Sequence, residues 1–163
     1  MPTTSVTIRD ARPSDYPAIA SLYREMLNKL ASKDPAQYRP EGAVISLKEE
    51  MFVATLSDPD WTFLVAEVNS SVVGAIQLSI QHEEANEYRH AARCVWIEEL
   101  VVAENQPLEA VVAVLMEAAE TWTSQHDIQI LDFIIYDFND AMRAVAATRN
   151  YQVVSTRVRK TCA

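Results

Sequence analysis

The stretch that decides the fold is "VWIEELVVAENQPLEAVVAVLMEAAETW", residues 95–122. It opens with β-branched, aromatic and aliphatic residues as far as Val102, a composition typical of a buried strand. A short polar turn follows at 103–106. Apolar residues then recur at helical spacing: Val111, Val114, Leu115 and Ala118. A strand, a tight turn and a helix in this order predict half of an α/β unit.

The regions on either side predict further elements of the same kind. Strands are expected at 5–9, 61–68, 71–80, 93–102, 128–137 and 151–159. Helices are expected after Pro13 and at about 46–57, 107–124 and 140–148. The order βααβββαβαβ predicts an α/β fold with a mixed sheet, and we expect residues 1–163 to form a single domain.

Composition and charge narrow the function classes. The chain has 163 residues, of which 49% are hydrophobic, and 14 Lys and Arg stand against 23 Asp and Glu, a net charge of −9. This balance argues against nucleic acid as a partner, because phosphates require clustered cations. No apolar run approaches the roughly 20 residues that cross a bilayer, and the N-terminus lacks the pattern of a secretory signal. We therefore expect a cytoplasmic protein without a membrane partner.

Two motif classes find little support. The chain has only two glycines, Gly42 and Gly74, so a phosphate loop that depends on glycine has almost no material. His82, Glu84 and His90 lie in a polar stretch, but their spacing matches no standard zinc pattern. The sequence therefore predicts no metal site, and a solvated loop in that stretch.

Four phrases, taken in order, carry a resemblance to a known family. They are "VTIRDARPSDYPAIASLYREM" (6–26), "FLVAEVNSSVVGAIQLSI" (63–80), the opening stretch (95–122) and "YDFNDAMRAVAATRNYQVVSTRVRK" (136–160). They resemble the first strand and helix, the central hairpin, the cofactor-binding unit and the closing helix and strand of the GNAT superfamily of acyl-CoA-dependent N-acetyltransferases. The resemblance covers nearly the whole chain.

The resemblance implies where a cofactor would bind. In that family acetyl-CoA lies between two splayed strands, which correspond here to 93–102 and 128–137. The residues that the resemblance assigns to cofactor binding are Val101, Val102, Ala103 and Asn139. The resemblance also implies that the helix after the first of these strands starts at the diphosphate of the cofactor.

The turn before that helix departs from the family pattern Arg-x-x-Gly-x-Gly. Pro107, Ala110 and Val112 stand at the three patterned positions. Proline has no N–H to donate, and Glu109 adds negative charge beside the expected anion. The same residues suit an ordinary helix start, because proline fits the first turn and glutamate favours the helix dipole. We expect this turn to begin a helix near Pro107 rather than to hold a phosphate.

The closing helix departs from the family as well. Asn139 keeps its place, but Ala146 stands where the resemblance implies the tyrosine that acts as general acid, and Asn150 stands where it implies a glycine. A general acid contributes roughly 10²–10⁴-fold to rate. Its loss together with that of the phosphate turn argues against efficient acetyl transfer.

A pair of carboxylates remains as the candidate for chemistry. Glu98 and Glu99 are adjacent in an apolar strand, where alternation points them to opposite faces. One would face the groove and could take a proton from a substrate ammonium as general base. The resemblance favours Glu99 for that role. The alternative is a carboxylate pair bound by neighbouring backbone or exposed at a bulge.

Two functions are therefore open. The residues favour a weak or non-catalytic member of this fold that binds a ligand or a partner and uses no cofactor. The alternative is an active acetyl-CoA-dependent N-acetyltransferase that modifies a small-molecule, N-terminal or lysine amine, with Glu99 as base. Either way the expected ligand is a small-molecule or protein amine, and the sequence leaves a homodimer open.

Overall fold

The computed structural model describes residues 5–39 and 47–160. Gly42, Cys162 and position 46 of the second predicted helix lie outside these residues. The strands are β1 (Thr7–Asp10), β2 (Trp61–Val68), β3 (Ser71–Glu83), β4 (Ala92–Val102) and β5 (Leu131–Asp132). The helices are α1 (Tyr16–Lys33), α2 (Glu49–Leu56), α3 (Leu108–Gln125) and α4 (Asp140–Thr148).

The strands form one mixed sheet in the order β1-β2-β3-β4-β5. The first four are antiparallel to their neighbours, and β5 runs parallel to β4. The mixed α/β fold predicted from the sequence is confirmed. Among the described helices, none combines the length and the apolar character that crossing a bilayer requires.

The hairpin between β2 and β3 forms without glycine in its turn. Asn69 and Ser70 both have positive φ, 48° and 63°, as a tight two-residue hairpin turn requires. Gly74 serves a different purpose, because a Cβ there would lie 3.1 Å from the Val101 carbonyl oxygen and 3.1 Å from Val111 Cγ1. Glycine at this position lets α3 pack closely on the sheet.

Two apolar cores lie on opposite faces of the sheet. One joins the sheet to α3 and α4 and includes the fully buried Val111 and Leu115, as the helical spacing predicted. The other joins the sheet to α1 and α2 and includes the fully buried Ile19, Phe52 and Phe63. The sheet is thus covered by helices on both sides.

The predicted strand 128–137 is shorter than expected. Only Leu131 and Asp132 pair with β4, opposite Val95 and Trp96. Beyond this pair, β4 and the segment that follows β5 diverge, and the groove described below lies between them. The predicted splay between the fourth and fifth strands is therefore present.

The predicted strand 151–159 is wrong: residues 151–160 have no regular secondary structure. Tyr151 remains attached, because its N–H donates to the Ala146 carbonyl and its ring lies 5.0 Å from that of Phe133. The valines that follow are exposed. A strand needs a neighbouring ladder of hydrogen bonds, and β5 is only two residues long, so it offers almost none.

A partly buried ion cluster fixes the start of α1 to the sheet. The Arg9 guanidinium donates to both carboxylate oxygens of Asp15, at 2.7 and 3.0 Å, and to Glu67 Oε2 at 2.6 Å. The Arg12 backbone N–H also donates to Asp15, at 2.7 Å. The hydrogen bonds from Arg9 hold the pKa of Asp15 below its usual value. The charged form of Asp15 therefore stabilises the fold.

Replacing Asp15 with Asn is expected to lower the free energy of unfolding at pH 7 by about 1–2 kcal/mol, since Arg9 keeps Glu67 as a partner. A lowered pKa in the folded state means that this contribution is complete above the ordinary carboxyl pKa and is lost as pH falls through the folded value. Urea unfolding at several pH values measures the difference. The exposed Asp10→Asn is the control, and an Asp15→Asn difference that does not shrink in acid would contradict the assignment.

Candidate functional site

A groove of about 280 Å³ opens where β4 diverges from the segment after β5. One wall is β4 from Trp96 to Val102, and the other is the segment 133–138. Side chains of α1 and the first residues of α3 and α4 complete it: Glu25, Met26, Lys29, Leu30, Leu108, Val112, Ala141 and Met142. The walls are mainly apolar, as in most small-molecule sites.

A β-bulge in β4 sets the direction of the two glutamates. Gln77 of β3 pairs with Glu99 and Leu78 pairs with Ile97, so Glu98 is an extra residue in the ladder. Ile97 and Leu100, on either side of the pair, both belong to the core under α3. Both glutamates therefore face the opposite side, towards α1, and both line the groove. The prediction that they point to opposite faces is wrong, because strand alternation fails at a bulge.

Glu98 is held in place by polar side chains of β3. The Ser79 hydroxyl donates to Glu98 Oε1 at 2.5 Å, and Gln81 Nε2 donates to the same oxygen at 3.3 Å. Ser79 is fully buried, so this partner cannot move into solvent. Glu98 therefore lies at a bulge and borders the groove, but side chains of β3 bind it rather than the neighbouring backbone that the sequence left open.

Glu99 has the more perturbed carboxyl group. Burial, followed by the negative charge of Glu98, raises the pKa of Glu99 to about 7. Its cross-strand neighbour Gln77 accepts a hydrogen bond from the Tyr23 hydroxyl at 3.0 Å, and burial raises the pKa of Tyr23 well above its usual value. Glu99 can therefore bind or release a proton near neutral pH.

Aromatic rings line the other side of the groove. Tyr136 stacks on Phe138 with ring centres 5.6 Å apart, and the Tyr38 hydroxyl donates to the Tyr136 hydroxyl at 2.7 Å. Tyr136 lines the groove, whereas the side chain of the neighbouring Asp137 is fully exposed and does not. Trp96 of β4 also lines the groove.

Of the residues that the resemblance assigned to a cofactor, Val101, Val102 and Asn139 border the groove and Ala103 does not. Val101 and Val102 pair with β3, and the Ala103 N–H donates to the Val73 carbonyl at 2.8 Å. Because backbone groups alternate along a strand, those of Val102 point away from β3, towards the groove. Asn139 borders the groove and also caps α4, since its side chain accepts from the Met142 N–H at 3.2 Å.

In the turn before α3, backbone N–H groups donate to a carbonyl of the turn itself. The helix begins at Leu108 with Pro107 as its N-cap, close to the predicted start. The N–H groups of Ala110 and Val111 both donate to the Pro107 carbonyl at 3.1 Å. Val112 is buried and borders the groove. Ala146, at the position of the family tyrosine, is buried, does not line the groove and has no polar side-chain atom.

The groove is acidic at the end formed by α1 and β4. Glu25, Glu98, Glu99 and Glu104 border it, and among the described lining residues Lys29 is the single cation. Glu25 and Lys29 were not identified from the sequence, because both are exposed and read as the solvent face of an amphipathic helix. Their four-residue spacing, which places them on one side of α1, was the available signal. This charge balance suits a cationic ligand.

Comparison with known proteins gives a consistent result. The model of the acetyltransferase (GNAT) family matches residues 20–151. No curated protein has a significantly similar sequence. A mutant of the BH1408 protein from Bacillus halodurans superposes with a TM-score of 0.88 at 18% identity, covering 96% of this chain and 99% of that one.

Two other structures share the fold at lower identity. A predicted acetyltransferase with acetyl-CoA from Clostridium acetobutylicum has a TM-score of 0.70 at 10% identity and covers 96% of each chain. The aminoglycoside 6'-N-acetyltransferase AAC(6')-Ih from Acinetobacter baumannii has a TM-score of 0.65 at 11% identity, covering 98% of this chain and 99% of that one.

Proposed function

This chain belongs to the GNAT family of acetyltransferases, and on that premise we propose that it is an amine-binding member with weak or no catalysis. Its ligand is a small-molecule or protein amine held in the acidic end of the groove. The observation that carries the proposal is the β4 bulge, which turns Glu98 and Glu99 towards the same cavity. Two adjacent carboxylates in an apolar groove attract a cation and repel the anionic part of a nucleotide.

The geometry of the turn before α3 supports the proposal that acetyl-CoA binds only weakly. A diphosphate needs several free N–H groups and close approach of the backbone. Pro107 has no N–H, and Ala110 donates to the Pro107 carbonyl, which leaves the N–H groups of Leu108 and Glu109. The apolar side chains of Leu108 and Val112 border this end of the groove, and Glu109 adds a negative charge. These residues do not fit a diphosphate, so we derive no transfer step.

The second candidate is an active N-acetyltransferase acting on a small-molecule, N-terminal or lysine amine. The raised pKa of Glu99, about 7, favours it, because a general base works best when its pKa lies near the operating pH. In that case Glu99 takes a proton from the substrate ammonium, directly or through water. Relatives of this fold include an aminoglycoside acetyltransferase, whose substrates are amines.

Calorimetry with four ligands tests the proposal. We expect butylamine and 1,4-diaminobutane to bind. The diamine should bind more tightly, because the groove contains two adjacent carboxylates and the diamine carries two positive charges. Butan-1-ol, which has the same shape as butylamine without the charge, should not bind. Acetyl-CoA at micromolar concentration should give no heat.

Each outcome decides between the candidates. Absence of binding by both amines would remove the amine-binding proposal. Binding of acetyl-CoA with a micromolar Kd would overturn weak cofactor binding and favour the active enzyme. Glu99→Gln should weaken the binding of both amines. Asp10→Asn, which changes an exposed carboxylate on β1, should leave their affinities unchanged.

A further inference from the structure

Aromatic side chains lie on both walls of the groove, beside its two central carboxylates. On the β4 wall, Trp96 faces the same side of the sheet as the two glutamates, because the intervening Ile97 packs into the core under α3. The opposite wall adds three more rings, those of Phe133, Tyr136 and Phe138. A cation bound at the two glutamates therefore lies between aromatic walls.

The wall formed by 133–138 offers ring surface rather than hydrogen-bond acceptors. Among the described lining residues of this wall, the Tyr136 hydroxyl is the only polar side-chain group, and it already accepts from Tyr38 at 2.7 Å. The rings of Tyr136 and Phe138 are nearly parallel, with 9° between their planes. Burial, the hydrogen bond from Tyr38 and the negative charge of Glu99 raise the pKa of Tyr136. The charge of Glu99 therefore acts across the groove on this aromatic wall.

On the carboxylate side, one acceptor atom is already in use. Glu98 Oε1 accepts from the Ser79 hydroxyl at 2.5 Å and from Gln81 Nε2 at 3.3 Å. A primary ammonium has three N–H groups, and each requires an acceptor when it leaves water. A quaternary ammonium has no N–H group and is attracted by negative charge and by the faces of aromatic rings. The groove matches the second kind of cation better, because it is richer in ring surface than in free acceptors.

We propose that the groove binds a quaternary ammonium, with its nitrogen beside Glu98 and Glu99 and its methyl groups against Trp96 and Tyr136. This inference rests on the proposed amine binding and names the chemical class of the ligand. Alkyl groups weaken the hydration of the cation, so it enters an apolar groove at a lower desolvation cost than a primary ammonium does. Its nitrogen has no free electron pair and cannot accept an acetyl group. A ligand of this class therefore requires neither the diphosphate turn nor a general acid.

Calorimetry with two pairs of ligands tests the proposal. Butyltrimethylammonium should bind at least about tenfold more tightly than butylamine, which has the same chain and a primary ammonium. Choline and 3,3-dimethylbutan-1-ol share one shape and differ in charge, and of these two only choline should bind. Equal affinities for the two butyl compounds, or an alcohol that binds as tightly as choline, would overturn the proposal.

Substitutions on the two walls test the role of the rings. Trp96→Leu and Tyr136→Leu should each weaken butyltrimethylammonium by about tenfold and weaken butylamine by less. Trp96→Phe and Tyr136→Phe keep a ring and should keep most of the affinity. Tyr88→Leu is the control, because Tyr88 is 90% exposed between β3 and β4 and does not line the groove.

Two further measurements locate the bound cation and the source of any failure. Thermal unfolding shows which leucine variants are folded, and their positions on different walls keep the test open if one of them does not fold. The chain has three tryptophans, of which Trp96 lines the groove. Butyltrimethylammonium should therefore shift one indole N–H signal in the NMR spectrum, the one that Trp96→Phe removes.

The outcomes separate this inference from the proposed function. Butylamine that binds as well as the quaternary ammonium would leave amine binding standing and remove the inference. Binding of butyltrimethylammonium without any binding of primary amines would do the reverse. Folded leucine variants with wild-type affinity, or a shift of a different indole signal, would also overturn the inference.

Discussion

Glu99→Gln is expected to raise the free energy of unfolding by about 2–3 kcal/mol at pH 8 and by less than about 1 kcal/mol at pH 5. The folded protein holds the pKa of Glu99 at about 7, above the ordinary 4.5, because the group is buried beside Glu98. A carboxyl group whose folded pKa is raised destabilises the fold when it is ionised. This cost is complete above pH 7 and declines as pH falls from 7 towards 4.5, whereas Gln is neutral throughout.

Urea unfolding at pH 8 and pH 5 measures the effect. Glu104→Gln, a change in a more exposed carboxylate of the same groove, is the control and should alter stability little at either pH. Glu98→Gln should give an intermediate result, because it removes the neighbouring negative charge and leaves Glu99 buried. A Glu99→Gln variant less stable than wild type at pH 8, or equally changed at both pH values, would contradict the raised pKa.

This prediction also bears on function. A residue whose removal stabilises the fold is retained for something other than folding, and such residues concentrate at binding and catalytic sites. Amine binding should depend on the protonation of Glu99, since a cation binds the carboxylate better than the carboxylic acid. The affinity for butylamine should therefore fall as pH drops through about 7.

Features that depend on nearby residues were predictable from the sequence. The hairpin turn contains Asn69, a residue type that tolerates positive φ, and both Asn69 and Ser70 have positive φ in the structure. The unit 95–122 was likewise predictable, because a strand composition, a polar turn and a helical stripe follow one another without a break. The position of the groove, between β4 and the segment that follows β5, followed from the resemblance and not from local pattern.

The bulge at Glu98 could not be read from the sequence. A bulge is an extra residue relative to the partner strand, so it appears only when the register between β3 and β4 is known. The sign of the bulge in the sequence is that Ile97 and Leu100, three positions apart, both face one core. In an unbroken strand residues three apart face opposite sides.

The prediction of a C-terminal strand at 151–159 was wrong for a different reason. The valines of 151–159 have the composition of a strand, and composition reports a preference for strand geometry rather than the presence of a partner. The two-residue length of β5 removes that partner within the chain.

Restoring the family pattern with Pro107→Arg, Ala110→Gly and Val112→Gly is expected to raise the affinity for acetyl-CoA by at least about a hundredfold, or about 2.7 kcal/mol. Arginine supplies a cation and an N–H at the helix start, and the glycines let the backbone approach the diphosphate. Calorimetry measures the change, and a higher salt concentration should reduce the gain.

The substitutions differ in their effect on stability, and this decides how the experiment is arranged. Each glycine costs about 1 kcal/mol in a helix, and Val112 is also buried, so its loss leaves a cavity worth on the order of 2–3 kcal/mol more. Pro107→Arg with Ala110→Gly is therefore the first variant, and Pro107→Gln separates the restored N–H from the added charge. A folded triple variant that binds acetyl-CoA no better than wild type would show that the turn is not what limits binding. In that case the acidic groove itself excludes the cofactor, and Glu99→Gln added to the triple variant should then restore its binding.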